Sequence, residues 1–251
     1  KKGPELSEPR KEHGIALVDD RIFVIGGTES GECVESLKIG EGSWKKMPPM
    51  KEKRDRPGVA VVDDRIFVFG GHNHEEFSHS CEMFSVKARK WLRIPSIPTA
   101  RYEAGVAVIG KRIFVIGGYN DEALNCVEVF DTVENTWSTL SPMPTSRQGL
   151  AAVVIDDRFI WCLGGASPFD LDVIEVFDAE ENKWKTAEIT LTGKRYSPKA
   201  VAVGAKIFVI GGSEENVRPC TKTEILDTET MKWTVASQMK TARLWHAAIG
   251  F

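Results

Sequence analysis

The sequence predicts an all-β protein built from one repeated unit of four short antiparallel strands. The segment RIFVIGG that begins at Arg21 recurs in recognisable form four more times along the chain. Each copy is followed by a glutamate and, nine residues after the glutamate, by a tryptophan. No stretch keeps apolar residues at helical spacing. Self-similarity at a period of 20 to 50 residues is typical of solenoids and propellers, so the repeat determines the fold class.

Four markers define each unit and always follow in the same order. A unit opens on an arginine, continues to a Gly-Gly pair, and then reaches the glutamate and the tryptophan. The first glycines of the pairs are separated by 44, 47, 47 and 47 residues. The markers are Arg10, Arg54, Arg101, Arg147 and Arg195; Gly26, Gly70, Gly117, Gly164 and Gly211; Glu35, Glu82, Glu128, Glu175 and Glu224; and Trp44, Trp91, Trp137, Trp184 and Trp233. A sixth arginine, Arg243, follows the last unit.

The second unit illustrates how one repeat becomes four strands. A β-branched apolar run is followed by the turn Asp63-Asp64, a second apolar run returns to the glycine pair, and two further runs follow a polar loop. The predicted strands are Val59–Val62, Arg65–Phe69, Cys81–Val86 and Trp91–Ile94. Four antiparallel strands per unit, repeated around a ring, describe a β-propeller blade.

The large aromatic residues of the repeat are predicted to form the core between blades. A single blade cannot bury its own faces and must stack on its neighbours. The five tryptophans and the aromatic residues three positions before each first glycine are therefore expected to be buried. The latter are Phe23, Phe67, Phe114, Trp161 and Phe208.

These markers resemble the kelch repeat, whereas the endings of WD-type propellers are absent. The resemblance covers Arg10 to Met239 and implies one kelch β-propeller domain over residues 1–251. Its units are residues 10–53, 54–100, 101–146, 147–194 and 195–242. Residues 243–251 resemble the first, innermost strand of a sixth blade, so the sequence predicts five full four-stranded blades and one strand of a sixth. A closed five-bladed ring is the alternative.

Composition narrows the possible partners and the compartment. The 251 residues carry a net charge of −3 with both signs mixed along the chain, which argues against nucleic acid or a membrane surface as a partner. No apolar run is long enough to cross a bilayer. The five cysteines show neither disulfide nor zinc spacing. A reduced, cytoplasmic protein is the simpler expectation.

Positions that differ from blade to blade are the candidates for recognition. Residues repeated in every blade serve a shared structural task, so the repeated arginines and glutamates are expected to bond within and between blades. The loop between the second glycine and the glutamate varies from 7 to 11 residues, whereas the other spacings are nearly constant. Loops on a rigid scaffold commonly carry binding residues. By the kelch resemblance, this rim and the residues after each opening arginine form the binding face.

All three tyrosines of the chain lie in these variable positions. Tyrosine offers an apolar ring with a polar tip, which is common in binding hot spots. The residues predicted to contact a partner are Arg56, His72, Tyr102, Tyr119, Asn120, Gln148, Tyr196 and Ser213. Their mixture suits a shallow, asymmetric pocket for a peptide.

We expect neither an enzyme nor a cofactor. The segment from Gly70 to Glu82 gathers His72, His74, His79 and Cys81, which could bind zinc, but a solvated polar loop is the favoured interpretation. No nucleophile motif or phosphate-binding loop is present. A copper-radical oxidase, which is built on a kelch-type propeller, needs tyrosine and histidine ligands for which this sequence offers no matching set.

The resemblance implies a protein-interaction function. The chain is similar to the substrate-binding propeller of kelch-like adaptors, in which a separate BTB domain docks a cullin-based ubiquitin ligase. Binding of actin or a general scaffold role, as in other kelch proteins, is the alternative.

Overall fold

The computed structural model describes residues 3–73, 75–214 and 218–250. All regular structure within these residues is β, in five four-stranded antiparallel sheets and two short two-stranded ones. Each four-stranded sheet corresponds to one sequence unit. The prediction of an all-β propeller with five full four-stranded blades is therefore confirmed.

The strands of the five blades follow the same order in the chain. Blade 1 comprises β1 (Gly14–Val18), β2 (Arg21–Ile25), β3 (Val34–Lys38) and β4 (Lys45–Lys46). Blade 2 comprises β5 (Gly58–Val62), β6 (Arg65–Phe69), β7 (Cys81–Ser85) and β8 (Lys90–Ile94). Blade 3 comprises β9 (Gly105–Ile109), β10 (Arg112–Ile116), β13 (Val127–Asp131) and β14 (Thr136–Leu140).

The last two blades repeat this arrangement. Blade 4 comprises β15 (Ala151–Ile155), β16 (Phe159–Leu163), β17 (Ile174–Asp178) and β18 (Lys183–Thr186). Blade 5 comprises β19 (Lys199–Val203), β20 (Lys206–Ile210), β23 (Thr223–Asp227) and β24 (Lys232–Val235). The short hairpins are β11 (Tyr119–Asn120) with β12 (Glu122–Ala123), and β21 (Ser213–Glu214) with β22 (Arg218–Pro219).

The turn residues explain the register of the first hairpin of blade 2. In blade 2, Val62 pairs with Arg65 and Gly58 pairs with Phe69, so the two residues Asp63 and Asp64 form the connection. Asp63 has a φ of 56°, a conformation that aspartate tolerates better than most residues. The four strands of this blade match their predicted positions to within one residue at each end.

Consecutive blades pack face to face through large apolar side chains. Phe84 of blade 2 lies 6.2 Å from Phe23 of blade 1, and Phe177 of blade 4 lies at the same distance from Phe114 of blade 3. Both members of each pair are fully buried. Of the aromatic residues predicted to be core before the glycine pairs, only Phe208 is half-buried.

The repeated tryptophans join each blade to the segment that precedes it. Every one donates its indole N–H to a backbone carbonyl 40 to 43 residues earlier in the chain. Trp91 is buried, with 4% of its surface exposed. The other four are only half-buried. They therefore lie at the outer border of the core and not at its centre, because the outer strand has no further strand beyond it.

The repeated arginines and glutamates form buried ion pairs within each unit. The five pairs are Arg10–Glu35, Arg54–Glu82, Arg101–Glu128, Arg147–Glu175 and Arg195–Glu224. Each arginine also donates to the carbonyl of the first glycine of its unit. Charges removed from water need such pairing, and only the Nε atoms of Arg10, Arg54 and Arg195 are left without a hydrogen-bond partner among the side-chain nitrogens of these five arginines. The expectation that these residues are structural agrees with this geometry.

Residues 243–250 continue the pattern of the units without forming a strand. Arg243 accepts a hydrogen bond from Gly212 through its carbonyl, as Arg54 does from Gly27 and Arg101 from Gly71. Gly250 lies against Val201 of β19. These residues thus reach the place of a next inner strand, but the described residues contain no second strand with which they could form a ladder. Residues 3–13 also contain no strand.

Candidate functional site

One end of the propeller, which we call the upper face, carries the residues that follow each opening arginine and each glycine pair. Short backbone bridges bring these two sets together in four of the blades. The pairs are Asp55 with His72, Tyr102 with Tyr119, Gln148 with Ala166, and Tyr196 with Ser213. The positions that differ from blade to blade therefore lie side by side on this face.

Blades 2 and 3 contribute a group of four rings, which we call the aromatic cluster: His72, Phe77, Tyr102 and Tyr119. Phe77 stacks on Tyr102 with ring centroids 5.6 Å apart and an interplanar angle of 20°. Tyr119 lies 5.5 Å from Tyr102 and presents an edge to Phe77 at 6.0 Å. His72 lies 5.9 Å from Tyr102. All four side chains are half-buried, so the cluster is fixed by packing while part of each ring faces solvent.

Arg56 links the aromatic cluster to the propeller axis. Its guanidinium donates to Glu12 at 2.7 Å and forms an ion pair with Glu103 at 2.9 Å, and both carboxylate side chains are only 5% exposed. The same guanidinium lies 5.3 Å from the ring centroid of Tyr102 and 5.3 Å from that of Trp245. Arg56 is thus held by two ion pairs and two cation–π contacts, which fixes its orientation on the face.

Arg56, Glu12 and Glu103 occupy one equivalent position, the second residue after the opening arginine. The six residues at this position form what we call the axial ring: Glu12, Arg56, Glu103, Gly149, Ser197 and Trp245. All six have φ between 49° and 61°. Five backbone hydrogen bonds of 2.8 to 3.3 Å connect them in sequence from Ser197 through Gly149, Glu103, Arg56 and Glu12 to Trp245. The left-handed conformation costs energy for the five non-glycine residues, and these hydrogen bonds offset part of that cost.

Glycine in the axial ring allows a contact between blades that are not neighbours. A Cβ atom at Gly149 would lie 2.4 Å from the ring of Tyr196. Because Gly149 has no side chain, the ring of Tyr196 from blade 5 can pass over blade 4. Its hydroxyl donates to the carboxylate of Glu103, whose oxygens lie 2.6 and 2.7 Å away. Burial, together with the adjacent Glu103 carboxylate, raises the pKa of Tyr196 well above its usual value.

A small cavity of about 70 Å³ lies below the axial ring and is lined by ionisable groups. Burial lowers the pKa values of His13 and His246 to about 4, and nearby cations contribute to both shifts. Burial also lowers the pKa of Lys199, opposed by Glu103, and raises that of Glu103, opposed by Arg56. Both histidines are therefore neutral at pH 7.

The remaining predicted contact residues differ in accessibility. Asn120 is half-buried and lies at the tip of the hairpin formed by β11 and β12. Gln148 is half-buried, and its side-chain oxygen has no hydrogen-bond partner among the described residues. Ser213 is fully buried, so its side chain lies beneath the surface of the face. The structure thus brings Arg56, His72, Tyr102 and Tyr119 together and places the other four predicted residues outside that group.

Four residues of the face were missed by the sequence prediction: Glu12, Phe77, Glu103 and Trp245. Three of them belong to the axial ring, at a position that also differs from blade to blade. Extending the comparison of equivalent positions from the first to the second residue after each arginine would have identified them. Phe77 lies in a loop of variable length, where no equivalent position exists, and the sequence carried no signal for it.

The described candidate zinc ligands in the loop after Gly71 have separate surroundings. Cys81 is buried, and burial raises the pKa of its thiol to about 11. The ring of His79 lies 3.1 Å from the carbonyl of Ile97, and His72 belongs to the aromatic cluster. His74 lies outside the described residues. No group of three or more potential ligands occurs in the described part of the chain.

Two further observations bear on the remaining expectations. The five cysteines are free thiols. Among residues 3–73, 75–214 and 218–250, no helix has the length and hydrophobicity needed to cross a bilayer.

The fold and the repeated Arg–Glu pairs define a kelch-type β-propeller. Comparison with protein families agrees, since residues 2–165 match the family described as the KLHDC2/KLHL20/DRC7 Kelch-repeats domain, and residues 194–240 match the Kelch motif. The chain belongs to this kelch-repeat family. A comparison with curated proteins gives no significant match. Kelch propellers are protein-interaction domains.

Proposed function

We propose that this propeller recruits a substrate protein by holding a short peptide segment of it on the upper face. The observation that supports this proposal is the aromatic cluster, which is confined to blades 2 and 3 of an otherwise repetitive ring. A partner without the symmetry of the ring needs such a local difference for recognition. Partly exposed aromatic residues beside a fixed arginine are the composition found at binding hot spots.

The energetics of the face are sufficient for this role. Truncating a hot-spot residue weakens the binding free energy by about 2 kcal/mol or more. Micromolar affinity corresponds to a binding free energy of about −8 kcal/mol in total. The rings and Arg56 are already held by packing and ion pairs. Little conformational entropy is therefore lost when a peptide binds.

We further propose that the bound protein is a substrate of a cullin-based ubiquitin ligase, reached through a BTB domain, and that the complex is cytoplasmic. This role needs no catalytic group or cofactor in the propeller. Holding the substrate near the transferred ubiquitin raises its effective concentration, which is the whole contribution of the adaptor. Actin binding or a general scaffold role is the second possibility that the fold allows.

A capture experiment with matched variants tests the recognition step. We expect the double variant Tyr102→Ala, Tyr119→Ala to lose partners that the unaltered protein retains from cell extract. The control variant Val133→Ser changes a side chain that is 69% exposed at the β13–β14 turn, at the opposite end of blade 3. This control variant should retain all the partners that the unaltered protein captures. Equal capture by all three proteins would place the binding surface elsewhere.

A second measurement separates a ligase adaptor from a scaffold. Partners that depend on Tyr102 and Tyr119 should accumulate in cells when cullin activation is inhibited, if the propeller delivers them for ubiquitylation. Unchanged levels would argue for the scaffold role. Co-sedimentation with actin filaments, compared between the unaltered protein and the double variant, tests the remaining alternative.

A further inference from the structure

We propose that the aromatic cluster recognises a basic side chain, arginine or lysine, in the bound segment, and this inference rests on the proposed peptide-binding function. The cluster offers partly exposed ring surface to a partner. Ring centroids 5.5 to 6.0 Å apart leave no room for a cation between the rings. A ligand therefore lies on the outer surface of the cluster, where the electron-rich faces of aromatic rings attract cations.

The charges around the cluster favour the same kind of ligand. Four exposed carboxylate side chains occur in the two loops that carry Phe77 and Tyr119: Glu75, Glu76, Asp121 and Glu122. Glu75 and Glu76 immediately precede Phe77, and their backbone N–H groups are fixed by the side chain of Asn73. Asp121 is the turn residue of the hairpin that begins at Tyr119, and Glu122 is the first residue of its second strand. In the described part of the chain, no lysine or arginine forms an ion pair with any of the four.

The arginine on this side of the face, Arg56, does not offset these carboxylates, and Lys11, which also lies on this side, has its ammonium over the ring of Trp245. Arg56 is neutralised by its ion pairs with Glu12 and Glu103. It also shows that the cluster accepts a guanidinium, because its own lies 5.3 Å from the ring centroid of Tyr102. The sector that faces solvent therefore combines ring surface with negative charge, which complements a basic side chain and repels an acidic one.

Peptide arrays of defined composition test this proposal directly. The probe is a set of twelve-residue peptides with randomised flanks and a central arginine, lysine, citrulline, norleucine or glutamate. We expect peptides with central arginine or lysine to bind about tenfold better than those with citrulline or norleucine, as a cation on an aromatic face with nearby carboxylates should. This preference should weaken as salt is raised from low to physiological concentration.

A pair of matched variants assigns the preference to this sector. The neutralised variant Glu75→Gln, Glu76→Gln, Asp121→Asn, Glu122→Gln should lose most of the preference for basic residues. The control removes the same charge from exposed carboxylates of the lower turns: Asp64→Asn, Glu134→Gln, Asp156→Asn and Asp157→Asn. It should retain the preference. Circular dichroism spectra and melting temperatures establish that both variants are folded.

The possible results separate this inference from the proposed function. Peptides that bind the unaltered protein and are lost with Tyr102→Ala, Tyr119→Ala, but that show no preference for a basic residue, would overturn this inference alone. Equal effects of the neutralised and control variants would do the same. The absence of any peptide binding that depends on Tyr102 and Tyr119 would overturn both the inference and the proposed peptide-binding function.

Discussion

The second strands of blades 3 and 5 have nearly the same sequence but very different burial. In β10, Ile113, Phe114, Val115 and Ile116 are all buried. In β20, Ile207 and Val209 are buried, whereas Phe208 and Ile210 are partly exposed. Blade 3 is covered on both faces by neighbouring four-stranded blades. Blade 5 packs on blade 4, whereas on its other side Gly250, which belongs to no strand, lies against Val201.

This difference shows that the burial of a repeat residue is determined by the next blade and not by its own. The residue before the first turn of a blade is 4% exposed at Val62 and 5% at Ile155, but 58% at Val203. Each of the three ends the first strand of its blade and pairs with the first residue of the second strand. Repeat proteins gain stability mainly at the contacts between neighbouring units, so equivalent substitutions should have unequal effects in the two regions.

Replacing the equivalent phenylalanines should give the largest contrast. Phe114→Ala removes a fully buried ring and should lower the free energy of unfolding by about 3–5 kcal/mol. Phe208→Ala should cost about 1–2 kcal/mol, because part of its ring is already in water. Urea denaturation followed by tryptophan fluorescence measures both. Equal losses would mean that another surface covers Phe208 in solution.

An isosteric change at the turn sharpens the same comparison. Val62→Thr places a hydroxyl in a site that is 4% exposed and should cost about 1–3 kcal/mol. Val203→Thr, at 58% exposure, should stay within about 0.5 kcal/mol of the unaltered protein. The shift in melting temperature is sufficient to separate the two. A large loss at Val203 would contradict the open face of blade 5.

The strands and blades could be predicted because each unit repeats the same turn residues, glycine pair and spacing. The Asp63-Asp64 turn, the Gly70-Gly71 pair and the spacing from Glu82 to Trp91 recur with little change. They therefore gave strand positions to within one residue. The half-buried state of Phe208 and of four tryptophans could not be read in this way, since it depends on what lies beyond each blade.

The upper face was only partly predictable. The equivalent positions that differ between blades predicted Tyr102, Tyr119 and Arg56 as contact residues, and the structure brings these three together. The ion pair of Arg56 with Glu103 and the hydrogen bond from Tyr196 depend on the curvature of the ring and on the empty space at Gly149. A contact across 93 residues and an intervening blade has no local signature in the sequence.

The junction between blade 5 and blade 1 should respond to acid. His246 is neutral when folded, with its pKa lowered by burial to about 4 from 6.5. The unfolded chain therefore binds a proton that the folded chain does not. Stability should fall as the pH drops from about 6.5 to about 4, by at most about 1.4 kcal/mol per pH unit.

Comparison with a variant isolates the contribution of this histidine. The pKa of His13 is also lowered to about 4, so this residue also makes stability fall as the pH drops. The raised pKa of Glu103 has the opposite effect on stability. His246→Gln should flatten the pH dependence of the unfolding free energy below pH 6.5 relative to the unaltered protein. Identical profiles for the two proteins would show that His246 becomes protonated without cost in the folded state.

On the upper face, substitution of Tyr119 should affect stability less than substitution of Tyr196. Tyr119 is half-buried at the start of a two-residue strand, so Tyr119→Ala should change the free energy of unfolding by no more than about 1 kcal/mol. Tyr196→Phe should cost more, about 1.5–3 kcal/mol, because it removes a hydrogen bond to the buried carboxylate of Glu103. Chemical denaturation of both variants checks the order. The reverse order would mean that Tyr119 stabilises the fold, and its role in a binding surface would then need a separate demonstration.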